Sequence, residues 1–294
     1  MESITEIVSF SHNGMQRMWY PFSAKLDSNR TIISAENFYE IGELMMLIKS
    51  MFATNNHSPE MVSKPNISGA RKFLVGENVR RTECSIVFRT EKGQYLLQRC
   101  FFGNYSLEAR LQKVGSTVSY TDEEVIKMLG KFHKPFVIGD ETLFGNGSMI
   151  LKPDSDFTRS SLVALCNSWA RMVGIRDSNI EVDHAGRWSS NEIHDSIFPK
   201  ISRGRVKLAS PLRILTHLAQ AVIRKRKFGM CPPIFSALNA DGLNQFEAIA
   251  FLDLIRNVSK EESLQFIVGV NSKPEVNSII DVISTPKLSI YSNY

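Results

Sequence analysis

The side chains with most chemistry to offer are nine cations gathered between residues 200 and 227. They are Lys200, Arg203, Arg205, Lys207, Arg213, Arg224, Lys225, Arg226 and Lys227, with no Asp or Glu among them. The whole chain carries a formal charge of +5, so this span holds +9 and everything else nets −4. Charge bunched in this way repels itself, and the repulsion is relieved when phosphates approach and condensed counterions leave. The segment is therefore expected to face a polyanion, with nucleic acid the natural partner. A plainer account covers part of it: cations in a helix's last turn are favoured by the negative end of its dipole, which would explain Arg224 to Lys227 alone. An anionic membrane surface is a third destination, but the segment lacks the exposed aromatic residues of an interfacial helix.

Other reactive residues are scattered. Cys84, Cys100, Cys166 and Cys231 form no CxxC pair, which argues against a zinc knuckle and a disulfide framework and leaves reduced, buried thiols. The six histidines show no HxxxH or HExxH spacing, so no metal site on one helix is expected. Asp154 and Asp156 could ligate a cation, but two acids in a turn are more often solvated or capping. The glycines near Phe144-Gly145-Asn146-Gly147-Ser148 lack the Gly-Lys-Ser/Thr of a Walker loop, and no GxGxxG or GxSxG occurs. No cofactor is expected.

These residues must be positioned by a chain of 294 residues, 43% hydrophobic and 22% charged, long enough for two domains or one domain with an arm. No run approaches the about 20 apolar residues of a membrane-spanning helix, and no basic-then-apolar leader opens the chain. A cytoplasmic protein without a membrane partner is expected. Residues 84–89 and 94–98, joined by Thr90-Glu91-Lys92-Gly93, have the alternation and the glycine of a β-hairpin. Helical spacing of Phe38, Ile41, Leu44, Met45, Leu47 and Ile48 predicts a helix within 36–52, and Thr121 with Glu123 and Glu124 opens a shorter one over 122–132. The pattern breaks near residue 153. The fold expected is α+β: a mixed α/β domain with a β-hairpin over 1–153, then a mainly helical nucleic-acid-binding domain over 154–294 with a C-terminal arm.

In that second half a helix should run from Thr158 to a C-cap at Gly174, and another should open at Pro211, where a missing N–H costs nothing. The Pro211 helix would bury Leu212, Leu215, Ala219 and Val222 and expose Arg213, His217 and the terminal cations. A third helix, over 243–255, is apolar on nearly every side and contains Asp253. A carboxylate there needs a partner or water, and Arg213 could supply a bidentate one.

The run Ala209-Ser210-Pro211-Leu212-Arg213-Ile214-Leu215-Thr216-His217, with Met230-Cys231-Pro232-Pro233 and Ala250-Phe251-Leu252-Asp253, resembles the core of coat proteins from flexible filamentous plant viruses. That resemblance implies an Arg213–Asp253 pair beside a groove for single-stranded RNA and self-association into an oligomer or filament through terminal arms such as 285–294. It also implies a place in the virion and the host cytoplasm. Leu252 departs from the family pattern by standing between Phe251 and Asp253. A second resemblance lies in Trp19-Tyr20-Pro21-Phe22, Leu26-Asp27 and Ser34-Ala35-Glu36-Asn37-Phe38-Tyr39, which are similar to the opening of the NADAR family of N-glycosidases acting on ADP-ribosyl-type substrates. It implies Glu36 as acid/base, although Asn37 stands where that family has histidine. The plainer reading of Glu36 is a first-turn helix glutamate.

Overall fold

Burial alternates residue by residue from Arg81 to Thr90, and the chain doubles back on itself at Glu91 and Lys92, as the hairpin pattern requires. Gly93 closes the turn at φ 140°, a conformation that side chains with a Cβ rarely adopt. The computed structural model describes residues 2–15, 21–28, 30–35, 44, 47–48, 50–52, 80–102, 107–133, 135–138, 156–174, 181–182, 188–189, 211–238, 245–271 and 287–290.

In chain order the elements begin β1 (Glu2–His12), β2 (Phe22–Lys25), β3 (Arg30–Ala35), β4 (Arg81–Thr90), β5 (Gly93–Phe102), β6 (Leu107–Lys113) and β7 (Ser119–Thr121). Next come α1 (Glu123–Leu129), β8 (Phe132–His133), β9 (Phe136–Ile138), α2 (Asp156–Val173), β10 (Glu181–Val182) and β11 (Trp188–Ser189). The chain continues with α3 (Pro211–Phe228), β12 (Ile234–Leu238), α4 (Gln245–Glu261), β13 (Phe266–Asn271) and β14 (Lys287–Ile290). Helical backbone also occurs at Leu44, Leu47, Ile48, Ser50 and Met51, within the helix expected from spacing.

The chain is α+β, as expected, and its sheets are of two kinds. One is an antiparallel sheet ordered β2-β1-β4-β5-β6-β7, with β8 added in parallel to β1. The other is parallel, ordered β14-β3-β13-β12-β9. Strands from both sides of residue 153 share the parallel sheet, so backbone hydrogen bonds join the two halves of the chain. Lys287–Ile290, inside the segment read as an intersubunit arm, pairs with β3 of its own chain.

Both faces of the parallel sheet are covered, the usual condition for parallel strands. On one side Phe235 and Ile267 join a core made by the inner face of the antiparallel sheet, α1 and the helical residues 44–52. There Phe88 stacks on Tyr95 with centroids 5.4 Å apart and meets Phe132 edge-on at 5.6 Å. On the other side Ile234, Phe266 and Val268 pack against α2, α3 and α4. Residues of α3 spaced three and four apart, Ile214, Leu215, Leu218, Ala219 and Val222, are fully buried there.

Local signals hold in most places. Gly174 follows α2 at φ 90°, the left-handed C-cap conformation. The cap of α1 differs from expectation: Thr121 belongs to β7, and Asp122 precedes the helix and accepts the Ala109 N–H on Oδ1 at 3.0 Å. The helix α4 is longer than its apolar run and is not buried all round, since Phe246 is 82% exposed.

Candidate functional site

Two places in this architecture gather functional potential. The first is the carboxyl edge of the parallel sheet, where ligands of open α/β sheets bind. Parallel register lines up Ala35 with Asn271 and Ile290, and Val270 with Leu238, so β3, β12, β13 and β14 all end along this edge. The chain runs from Ala35 through Glu36-Asn37-Phe38-Tyr39-Glu40-Ile41-Gly42-Glu43 to helical Leu44. A strand followed in sequence by a helix is the order of elements around a phosphate-binding loop.

The residues present do not fit a nucleoside triphosphate. Phosphate cradling at this place uses glycines whose N–H groups approach the phosphates, a lysine for their charge and a Ser/Thr on Mg²⁺. No Gly-Lys-Ser/Thr occurs anywhere in the sequence, and the connection carries three glutamates that would repel a phosphate chain. β12 reads Ile-Phe-Ser-Ala-Leu and is followed by Asn239, so no carboxylate stands directly at the end of that strand. Glu36 lies outside the described residues.

The second place is the C-terminal end of α3. Arg226 donates from Nε to Glu262 Oε1 at 2.9 Å and forms an ion pair with the same carboxylate. That contact holds its guanidinium pKa above the ordinary value. The Arg224 guanidinium lies 5.4 Å from the Phe228 ring centroid and the Lys227 ammonium 5.5 Å from it, both within cation–π range. Lys225 is half-buried beside them. His133 is depressed below the usual imidazole range, first by burial and then by the charges of Arg224 and the chain's N-terminal amine. Cys231 is pushed up to about 12 by burial, which outweighs the opposing pull of Arg224 and Lys225, so it is an inert thiol.

The other predicted residues separate. Lys200, Arg203, Arg205 and Lys207 lie outside the described residues, as does the side chain of Arg213. Asp253 is 38% exposed and pairs at 3.1 Å with Arg256, one turn further along α4. Sequence spacing missed His133 as a neighbour of Arg224, because the two lie 91 residues apart and come near each other only in the folded chain. Among the described residues no group of three His, Cys, Asp or Glu could hold a metal ion, and no helix is long and apolar enough to cross a membrane.

A parallel sheet covered by helices on one face and by an antiparallel sheet on the other defines a class that the solved structures make specific. The fold is that of an SMC head domain. The structure of an SMC head bound to the C-winged helix domain of ScpA superimposes with a TM-score of 0.55 at 15% identity, covering 92% of this chain and 91% of that one. The SMC head with an extended coiled coil bound to the C-terminal domain of ScpA, derived from Pyrococcus furiosus, gives 0.52 at 10% identity, covering 93% and 91%. No protein-family model matches the chain, and no curated protein matches it.

This fold overturns both resemblances read from the sequence. A likeness to SMC heads over nine-tenths of the chain is incompatible with a filamentous virus coat protein, and equally with a NADAR-type glycosidase using Glu36. Single-stranded RNA packaging, the filament and the virion are withdrawn with them. The runs that suggested a coat protein lie mostly in α3 and α4. Apolar residues three and four apart recur in any helix packed on one side, so a few matched positions there carry little information.

Proposed function

We propose that this chain is a head-type scaffold that works by docking a partner protein and performs no P-loop phosphoryl transfer. The observation that carries the reading is the carboxyl edge of the parallel sheet: β3 ends there, and the eight residues between it and helical Leu44 include three glutamates and no lysine in sequence. In one of the similar structures the SMC head is bound to a winged-helix domain, and a winged-helix domain is the class of partner proposed for this chain. The test pairs calorimetry of the full chain against Mg-ATP with capture assays against purified winged-helix domains. No heat from Mg-ATP and saturable binding of one such domain are expected. Micromolar binding of Mg-ATP with hydrolysis would overturn the reading.

A second role attaches to the basic end of α3. Lys225 and Lys227, with Arg224, are the residues proposed to meet the phosphates of a nucleic-acid duplex. Support comes from the gathering of Lys225, Arg226 and Lys227 in the last turn of α3, where the Arg224 and Lys227 cations both lie over the Phe228 ring.

A further inference from the structure

The outer face of the antiparallel sheet carries an unusual row. Ser23 of β2 stands opposite Ser11 of β1, Ser11 opposite Ser85 of β4, and Ser85 opposite Gln98 of β5. Gln98 in turn faces Arg110 of β6, which faces Thr121 of β7. One straight cross-strand line thus presents hydroxyl, amide or guanidinium groups on six successive strands, with no apolar member. The solvated face of an antiparallel sheet is ordinarily polar, and in this chain it is also concave. Here all six residues line a single concave groove of about 890 Å³, within the ordinary range for ligand sites.

The walls are held in place. Arg81 donates to Cys100 Sγ at 3.0 Å, pairs with Glu83 at 2.6 Å and lies 5.5 Å from the Phe102 ring centroid. The Glu83 N–H donates to Asn13 Oδ1 at 2.8 Å, and the Ser11 and Ser85 hydroxyls bond each other at 2.7 Å. A groove already braced in this way loses little side-chain entropy when it is filled.

We propose that this groove binds an extended peptide segment of a partner protein, one carrying charges of both signs. Length supports it: five inter-strand steps of about 4.8 Å give about 24 Å, the span of about seven extended residues at about 3.4 Å each. Chemistry supports it too, because serine, glutamine and threonine side chains can donate to peptide carbonyls and accept from peptide N–H groups. Charge excludes the other linear polymer. The groove is lined by Arg81, Arg99 and Arg110 and by Glu83, Glu108 and Asp122, three charges of each sign, so a phosphate backbone finds no net attraction. The proposal deepens the partner-docking reading and rests on it.

The experiment screens the full chain against an array of random peptides of about seven residues and titrates the best binder by fluorescence anisotropy. The variants are Gln98→Ala, Arg110→Ala and a groove-filling Ser85→Trp, with Glu91→Ala in the hairpin turn as control. Losses of about tenfold or more are expected in the three groove variants and none in the control, with peptides of mixed charge preferred. The proposal is overturned if no peptide binds, if groove and control variants bind alike, or if an oligonucleotide of equal length binds more tightly. Should Arg110→Ala fail to fold, Ser85→Trp reads the same loss. A winged-helix domain captured equally by all variants would sink the groove and spare the docking function. Peptide binding without any head partner would do the reverse.

Discussion

Gln265 and Ile7 are 258 residues apart and share two buried hydrogen bonds: Ile7 N–H donates to Gln265 Oε1 at 2.7 Å, and Gln265 Nε2 donates to Ile7 C=O at 2.8 Å. The same Nε2 also reaches Asp27 C=O at 2.9 Å. Ile7 lies at an irregularity in the pairing of β1 with β4, where the register shifts between Ile7 and Ser9. Main-chain groups freed by that shift would be buried without partners, and one glutamine at the foot of β13 satisfies them. The antiparallel and parallel sheets are tied together at this point.

Gln265→Leu is therefore expected to destabilise the protein by about 3 kcal/mol, since the two buried main-chain groups of Ile7 lose this partner and the part-buried Asp27 carbonyl loses a donor, while shape is nearly kept. Urea unfolding checks it: the midpoint should fall with little change in slope. A loss below about 1 kcal/mol would mean that water replaces the glutamine.

The acid side of the stability curve should report His12. The ring is 4% exposed, stacks on Phe22 at 5.7 Å, and has no hydrogen-bond partner on either nitrogen among the described residues. Burial lowers its pKa from 6.5 to about 4. The unfolded chain then binds a proton that the folded chain refuses, so stability falls as pH drops from 6.5 towards 4 and levels off below. The loss from this one group should reach about 3 kcal/mol. His12→Phe keeps the stacking and should flatten that part of the curve. An unchanged pH profile in the variant would count against the assignment.

Binding of duplex DNA, if it uses the end of α3, should depend on salt through two lysines. Lys225→Ala with Lys227→Ala is expected to weaken binding of all sequences alike and to reduce the slope of log K against log salt by about two. Arg226→Ala should change the slope less, because Glu262 already neutralises that guanidinium. Equal effects from all three residues would show that the Glu262 pair does not persist in solution.

Gly93→Ala tests the hairpin. A Cβ there would lie 2.8 Å from Lys113 Cε, which can swing away, but the φ of 140° remains strained for alanine. A loss of about 1–3 kcal/mol is expected, read as a lower thermal midpoint. Lys113→Ala in the same background should recover little of it, since the backbone carries the cost.

Sequence alone determined the local elements. Apolar spacing placed α2 and α3, Pro211 and Gly174 marked their ends, and Gly93 marked the hairpin, because each signal acts between residues a few positions apart. The functional reading went astray for the same reason: the periodicity that locates a packed helix says nothing about which sheet it packs on. Only the tertiary structure decided that β3 pairs with β13 and β12 with β9, that Asp253 turns to Arg256, that Gln265 finds Ile7, and that six polar residues on six strands fall in line. Those relationships depend on strand order and register, which join residues tens to hundreds of positions apart. A single sequence records such pairings in no local pattern, since each strand shows only which of its own faces is polar.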